Sequence, residues 1–138
     1  KVMHAESSFA PMDYDGAVFS QTLERLIGQR QFAVVTEHDG EVVGGMLGYI
    51  SPSWFGKDWV ANDLALFMLP EHRKGSAAIR MIDAFILWAR AAGVRQIRPG
   101  VSTGSEVAER IYAAKGFKRG GAIFYMDCEG VSDEHLSA

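Results

Sequence analysis

Leu69-Pro70-Glu71-His72-Arg73-Lys74-Gly75-Ser76-Ala77-Ala78 joins two patterns of different period. Before it lies Trp59–Leu69, an almost continuous apolar run of strand length, as expected of a strand buried on both faces. After it, Ile79, Ile82, Ile86 and Ala89 form one helical stripe, with Met81, Phe85, Trp88 and Ala92 beside it. So wide a stripe predicts a helix packed on a sheet, stopped by Gly93. Val94–Val101 then reads as a second strand. A strand–helix–strand crossover of this length implies parallel pairing.

The turn itself is chemically informative. The first N–H groups of a helix lack intrahelical partners, and the helix dipole adds partial positive charge there. Gly75, Ser76, Ala77 and Ala78 let an anion approach that backbone, and Arg73 and Lys74 add charge. A solvated turn capping an ordinary helix is the competing reading of the same residues.

Upstream, Phe19, Leu23, Leu26 and Ile27 recur at helical spacing after a loop with Pro11, Asp13, Asp15 and Gly16. Gln31–Thr36 and Glu41–Ile50 read as a hairpin turned at His38-Asp39-Gly40. Gly44, Gly45 and Gly48 predict a bulge or a close approach in its second strand. Downstream, Ser102–Ser105 caps a helix, Glu106–Lys115, that Gly116 stops. Phe117–Met126 is expected as a closing strand bent at Gly120–Gly121, and residues 128–138 as a polar tail. The chain begins at Lys1, so a first strand or part of a first helix is expected to lie outside it. Antiparallel strands followed by one crossover make a mixed α/β domain.

Composition bounds the function. The 138 residues suit a single domain, and 48 % hydrophobic with 22 % charged residues is a globular balance. A net charge of −3 argues against nucleic acid or an anionic membrane as partner. No apolar run reaches the length of a membrane span and no signal peptide is legible, so a cytoplasmic protein is expected. The lone cysteine, Cys128, excludes an internal disulfide. His4, His38, His72 and His135 lack metal-ligand spacing, so no metal is expected. Neither a Walker-type nor a dinucleotide-binding glycine motif is present, and no serine sits in a nucleophile elbow.

Two segments together resemble the GNAT family, the GCN5-related N-acetyltransferases. His72-Arg73-Lys74-Gly75-Ser76-Ala77, preceded by Pro70-Glu71, is similar to that family's pyrophosphate loop, Gln/Arg-x-x-Gly-x-Gly/Ala. Ala108-Glu109-Arg110-Ile111-Tyr112-Ala113-Ala114-Lys115-Gly116-Phe117 resembles its Ala-x-x-Leu/Ile-Tyr-x-x-x-Gly-Phe segment. The order of elements from Gln31 to Met126 agrees. His4–Ala10 with Tyr14–Asp15 loosely resembles a bacterial and phage subgroup. His72 replaces the preferred Gln or Arg, and Ser105 stands where many members carry a CoA-contacting Asn.

The resemblance implies a GNAT-like mixed central sheet with a splayed parallel strand pair, flanked by helices. It implies acetyl-CoA as co-substrate and direct acetyl transfer to a primary amine of a small molecule or protein. The coenzyme would be held by Phe67, Met68, Leu69, His72, Arg73, Lys74, Gly75, Ser76, Ala77, Ala78 and Ser105. Tyr112 would be the acid that protonates the departing thiolate; a core tyrosine packing one helix face is the competing reading. Asp63 would be the base, directly or through water; a strand-edge carboxylate in solvent or paired with Arg98 is its competitor. Tyr49, Trp54, Phe55 and Trp59 border the loop after the hairpin and suit an acceptor pocket, a dimer face or plain packing. Cys128 has no neighbouring histidine signature, and direct transfer needs no enzyme nucleophile. Family members often dimerise, so a homodimer is compatible with the resemblance. A non-catalytic acyl-CoA-binding or assembly module of the same fold is the alternative function.

Overall fold

A computed structural model describes residues 1–128. The elements in chain order are α1 (Val2–Glu6), α2 (Gly16–Gly28), β1 (Phe32–His38), β2 (Glu41–Pro52), β3 (Trp59–Met68), α3 (Ala77–Ala91), β4 (Gln96–Arg98) and α4 (Glu106–Ala114). A short 3-10 turn, Pro70–His72, links β3 to the run-up of α3. The strands form one sheet in the order β1-β2-β3-β4. β1, β2 and β3 are antiparallel neighbours, while β3 and β4 run parallel.

Local chemistry explains the boundaries. Asp15 caps α2, its carboxylate accepting from the amides of Ala17 and Val18. Asp39 and Gly40 both take positive φ, at 49° and 79°, which matches the twist of a two-residue hairpin. Gly93, at φ 77°, ends the α3 segment where the helical pattern stops. α1, a single turn before the predicted loop, carries no apolar periodicity that would have announced it.

α3 lies across the sheet and makes the core. Met81, Ile82, Phe85 and Ala89 are buried against Phe32, Val43, Met46, Ala61, Met68 and Tyr112. Phe85, Phe32 and Trp88 form an aromatic cluster with ring centroids 5.3–5.7 Å apart. Ile79, expected in the inward stripe, stays partly exposed at the start of the helix.

The glycines of β2 do both things expected of them. A Cβ at Gly48 would stand 2.5 Å from the Phe85 ring and 3.0 Å from the Asn62 carbonyl oxygen. At Gly44 it would meet Met68 Sδ at 2.2 Å. The register also slips beside Gly48: Leu47 faces Ala65 while Gly48 faces Asp63, so Leu64 is an extra residue in β3.

Three expectations need correction. The apolar run of β3 is not buried on both faces, since Leu64 is 48 % exposed and α3 covers one face only. β4 is shorter than Val94–Val101, because Pro99 has no N–H to continue a ladder. Residues 118–128 form no regular structure; Ile123, Phe124, Tyr125 and Met126 stand exposed, without the pairing that the predicted closing strand required. The polar tail beyond Cys128 lies outside the described residues.

Gly48→Ala is expected to destabilise the protein by about 1–3 kcal/mol, because the new methyl meets a ring and a backbone oxygen rather than a flexible chain end. Urea denaturation at constant m-value measures this. An unchanged midpoint would contradict the packing described.

Candidate active site

The site begins where β3 and β4 part. Their pairing covers only Val60–Asn62 with Gln96–Arg98. Three features end it together. Leu64 bulges from β3, Pro99 cannot donate, and the Asp63 carboxylate takes the next free amide, Gly100 N–H, at 2.9 Å.

Beyond that point β3 has an open edge. Leu69 donates its N–H to Val43 on β2 at 2.8 Å, and the register places Phe67 opposite Gly45. Alternation along the strand therefore turns the Phe67 and Leu69 backbones toward β2. Leu66 and Met68 face the gap instead. Among the residues expected to hold an extended amide-bearing arm, Met68 is thus placed on the open edge and Phe67 and Leu69 are not. Leu66, which the sequence did not single out, shares that edge; it is placed there by the register, which a single strand's sequence does not carry.

At the end of this edge lies the turn. The amides of His72 and Arg73 are used locally, donating to Leu69 and Pro70. No acceptor among the described residues takes the amides of Gly75, Ser76, Ala77 or Ala78, and Ser76 caps α3 without a side-chain bond. A Cβ at Gly75 would meet nothing within 4 Å, so the backbone there is open to an incoming group. A groove of about 410 Å³ adjoins these amides; its lining includes Lys74 and Arg80, with His38 and His72, and also the carboxylates of Glu37 and Glu71. The His38 and His72 rings lie 4.9 Å apart, closing the hairpin tip onto the turn. Unpaired amides, a helix N-terminus and basic side chains suit a diphosphate.

Arg73 is engaged elsewhere. Its Nε donates to the Met68 carbonyl at 2.8 Å, its terminal nitrogen pairs with Glu6 of α1, and its guanidinium lies 5.5 Å from the Phe67 ring centroid. It braces the amino-terminal helix against the end of β3. Ser105 is likewise committed, its Oγ accepting from Ala108 N–H at 3.3 Å as the cap of α4.

Tyr112 projects from α4 into the core, packed edge-on against Phe117 at 5.4 Å. Its hydroxyl is buried and has no hydrogen-bond partner among the described residues. Burial, and then the charge of Asp63, push its pKa upward, so the phenol keeps its proton at neutral pH. Burial also raises Asp63, opposed by the N–H of Gly100 and by its own amide. Asp63 therefore neither faces solvent freely nor pairs with Arg98, whose guanidinium bonds Gln96. Asp63 sits where the strands part, and Tyr112 lies near enough to feel its charge.

Trp54 and Phe55 stack on each other with centroids 4.1 Å apart and remain exposed. Tyr49 is half-buried and Trp59 half-exposed. Among the described residues no cluster of His, Cys, Asp or Glu could hold a metal ion, and no helix is long and apolar enough to cross a membrane.

The comparisons with known proteins agree with this architecture. The profile of the acetyltransferase (GNAT) family matches residues 1–117. The chain belongs to the GNAT acetyltransferase family. A search of curated proteins finds no match. Among solved structures, an acetyltransferase from Trypanosoma brucei superposes with a TM-score of 0.70 at 18 % identity, covering 92 % of this chain and 89 % of that one. An aminoglycoside antibiotic 6'-N-acetyltransferase from Acinetobacter baumannii gives 0.68 at 16 % identity, covering 94 % and 89 %. A third, AAC(6')-Iy in complex with the bisubstrate analogue CoA-S-monomethyl-acetylneamine, gives 0.69 at 18 % identity, covering 94 % and 88 %. Identities this low carry the fold.

The direction of the Asp63 shift gives a test. A carboxyl raised in the folded state binds its proton more tightly there than in the unfolded chain. Its contribution to stability is therefore full below the ordinary value of 3.8 and is lost as pH rises through the folded value. Asp63→Asn keeps an acceptor for Gly100 and carries no charge. Its Tm advantage over the parent should widen from pH 4 to pH 7, and a constant or shrinking difference would contradict the placement.

Proposed function

We propose that this protein is an acetyl-CoA-dependent N-acetyltransferase that acetylates a primary amine by direct transfer. The observation that carries the proposal is the continuity of the site. An open strand edge at Leu66 and Met68 leads to unpaired amides at Gly75–Ala78, and the buried phenol of Tyr112 lies within the influence of the Asp63 carboxylate.

Each part has a task. The edge groups of β3 hold the amides of the pantetheine arm. The turn, with Lys74 and His72 beside it, takes the diphosphate. The acyl group then lies between β3 and β4, where an edge N–H of Met68 or Leu66 polarises the thioester carbonyl as negative charge develops. The neutral amine attacks that carbonyl, the N–C bond forms and the C–S bond breaks. The thiolate takes the Tyr112 proton, and the proton shed by the amine passes to Asp63 or to water. The raised pKa of Tyr112 keeps the donor protonated, and that of Asp63 makes it a stronger base than an exposed carboxylate.

The aminoglycoside acetyltransferases among the structural neighbours support an amine as acceptor. The acceptor pocket would be built by the amino-terminal helix and the loop between β2 and β3, which carries the exposed Trp54–Phe55 pair.

Acetyl-CoA at a hundred times its Kd is expected to stabilise the protein by about 2.7 kcal/mol, a Tm rise of about 10 °C. No rise at millimolar acetyl-CoA would remove the proposal. Tyr112→Phe should bind the coenzyme normally but lower kcat by about 10²-fold, read as thiol release. Unchanged turnover across pH would take the acid role away from Tyr112.

A further inference from the structure

α4 carries the candidate acid, yet little polar chemistry fixes it. Among the described residues the Tyr112 hydroxyl has no hydrogen-bond partner, so none of them sets where its polar end points. The position of the ring follows from where α4 sits. At the end of that helix, Lys115 Nζ lies 2.6 Å from Asp83 Oδ1, on the second turn of α3. No other ion pair among the described residues joins α3 to α4.

This pair is less exposed than the pair within α4, although the Asp83 side chain is itself 52 % exposed. The Lys115 side chain is 27 % exposed, against 76 % for Arg110 in the pair within α4. It is correspondingly less screened by water and salt. Its mechanical link to Tyr112 is short. The amides of Lys115 and Phe117 both donate to the Tyr112 carbonyl at 3.1 Å. A restraint on the Lys115 side chain therefore acts on the Tyr112 backbone within one turn. The other end of the restraint is α3, whose N-terminus offers the amides proposed for the diphosphate.

We propose that Asp83 and Lys115 are positioning residues for acyl transfer. Their ion pair holds α4 at a fixed height over α3, and so holds the Tyr112 hydroxyl at the parting of β3 and β4. The inference rests on reading Tyr112 as the acid of the reaction.

The test uses the full chain labelled with carbon-13 at the tyrosine Cζ. The chain has four tyrosines, and Tyr112 is assigned by the signal lost in Tyr112→Phe. Asp83→Asn and Lys115→Met should each shift or broaden the Tyr112 signal and leave the others in place. Each should lower kcat by about tenfold with KM for acetyl-CoA changed less than twofold, since misplacing a reacting group costs rate rather than binding. The double variant should be no worse than either single, and Lys115→Arg should recover most of the rate. An unmoved Tyr112 signal, additive losses, or a change in KM alone would overturn the proposal. If the parent shows no turnover, the spectrum still decides whether the pair holds Tyr112. That failure would then belong to the catalytic reading alone.

Discussion

Everything specific about this molecule depends on two parallel strands that begin as partners and then separate. β3 and β4 share only a short ladder before Pro99, the Leu64 bulge and the Asp63–Gly100 hydrogen bond drive them apart. Separation has a cost, because strand N–H and C=O groups lose partners. Part of the deficit is met internally: Arg73 covers the Met68 carbonyl, and Asp63 covers the Gly100 amide. The remaining groups are those proposed to bind an amide-bearing ligand.

α3 has two duties that its sequence reconciles. Its inward face, with Phe85 and Ile82 nearly inaccessible, locks it to the sheet. The proposed diphosphate needs its N-terminus open, and Ser76 makes no side-chain bond there. α2 and α4, by contrast, are capped by Asp15 and Ser105. Of the three longer helices, α3 is the one without a side-chain cap, and its first amides face the open turn. Burial raises the pKa of both Tyr112 and Asp63, the two residues proposed as acid and base.

Much of this was legible in the residues, and the limits were physical. The change of period at Leu69–Ala78 located the crossover, and Asp39-Gly40 located the hairpin. Tyr112 and Asp63 stood out, one by its motif and the other as an acid in an apolar run. Which of Leu66, Phe67, Met68 and Leu69 faces the gap was not legible, because it depends on a one-residue slip opposite Gly48. The destination of the Arg73 side chain depends on Glu6, far away in sequence. Phe117–Met126 has the composition of a strand, but composition does not supply a neighbour to pair with.

The most direct measurement follows backbone amide resonances while CoA is titrated into nitrogen-15-labelled protein. The account predicts that Gly75, Ser76, Ala77 and Ala78 shift together with Leu66 and Met68, along one saturating curve. Perturbation of the turn without the strand edge, or of neither, would contradict the claim that the parted strands and the uncapped helix form a single site.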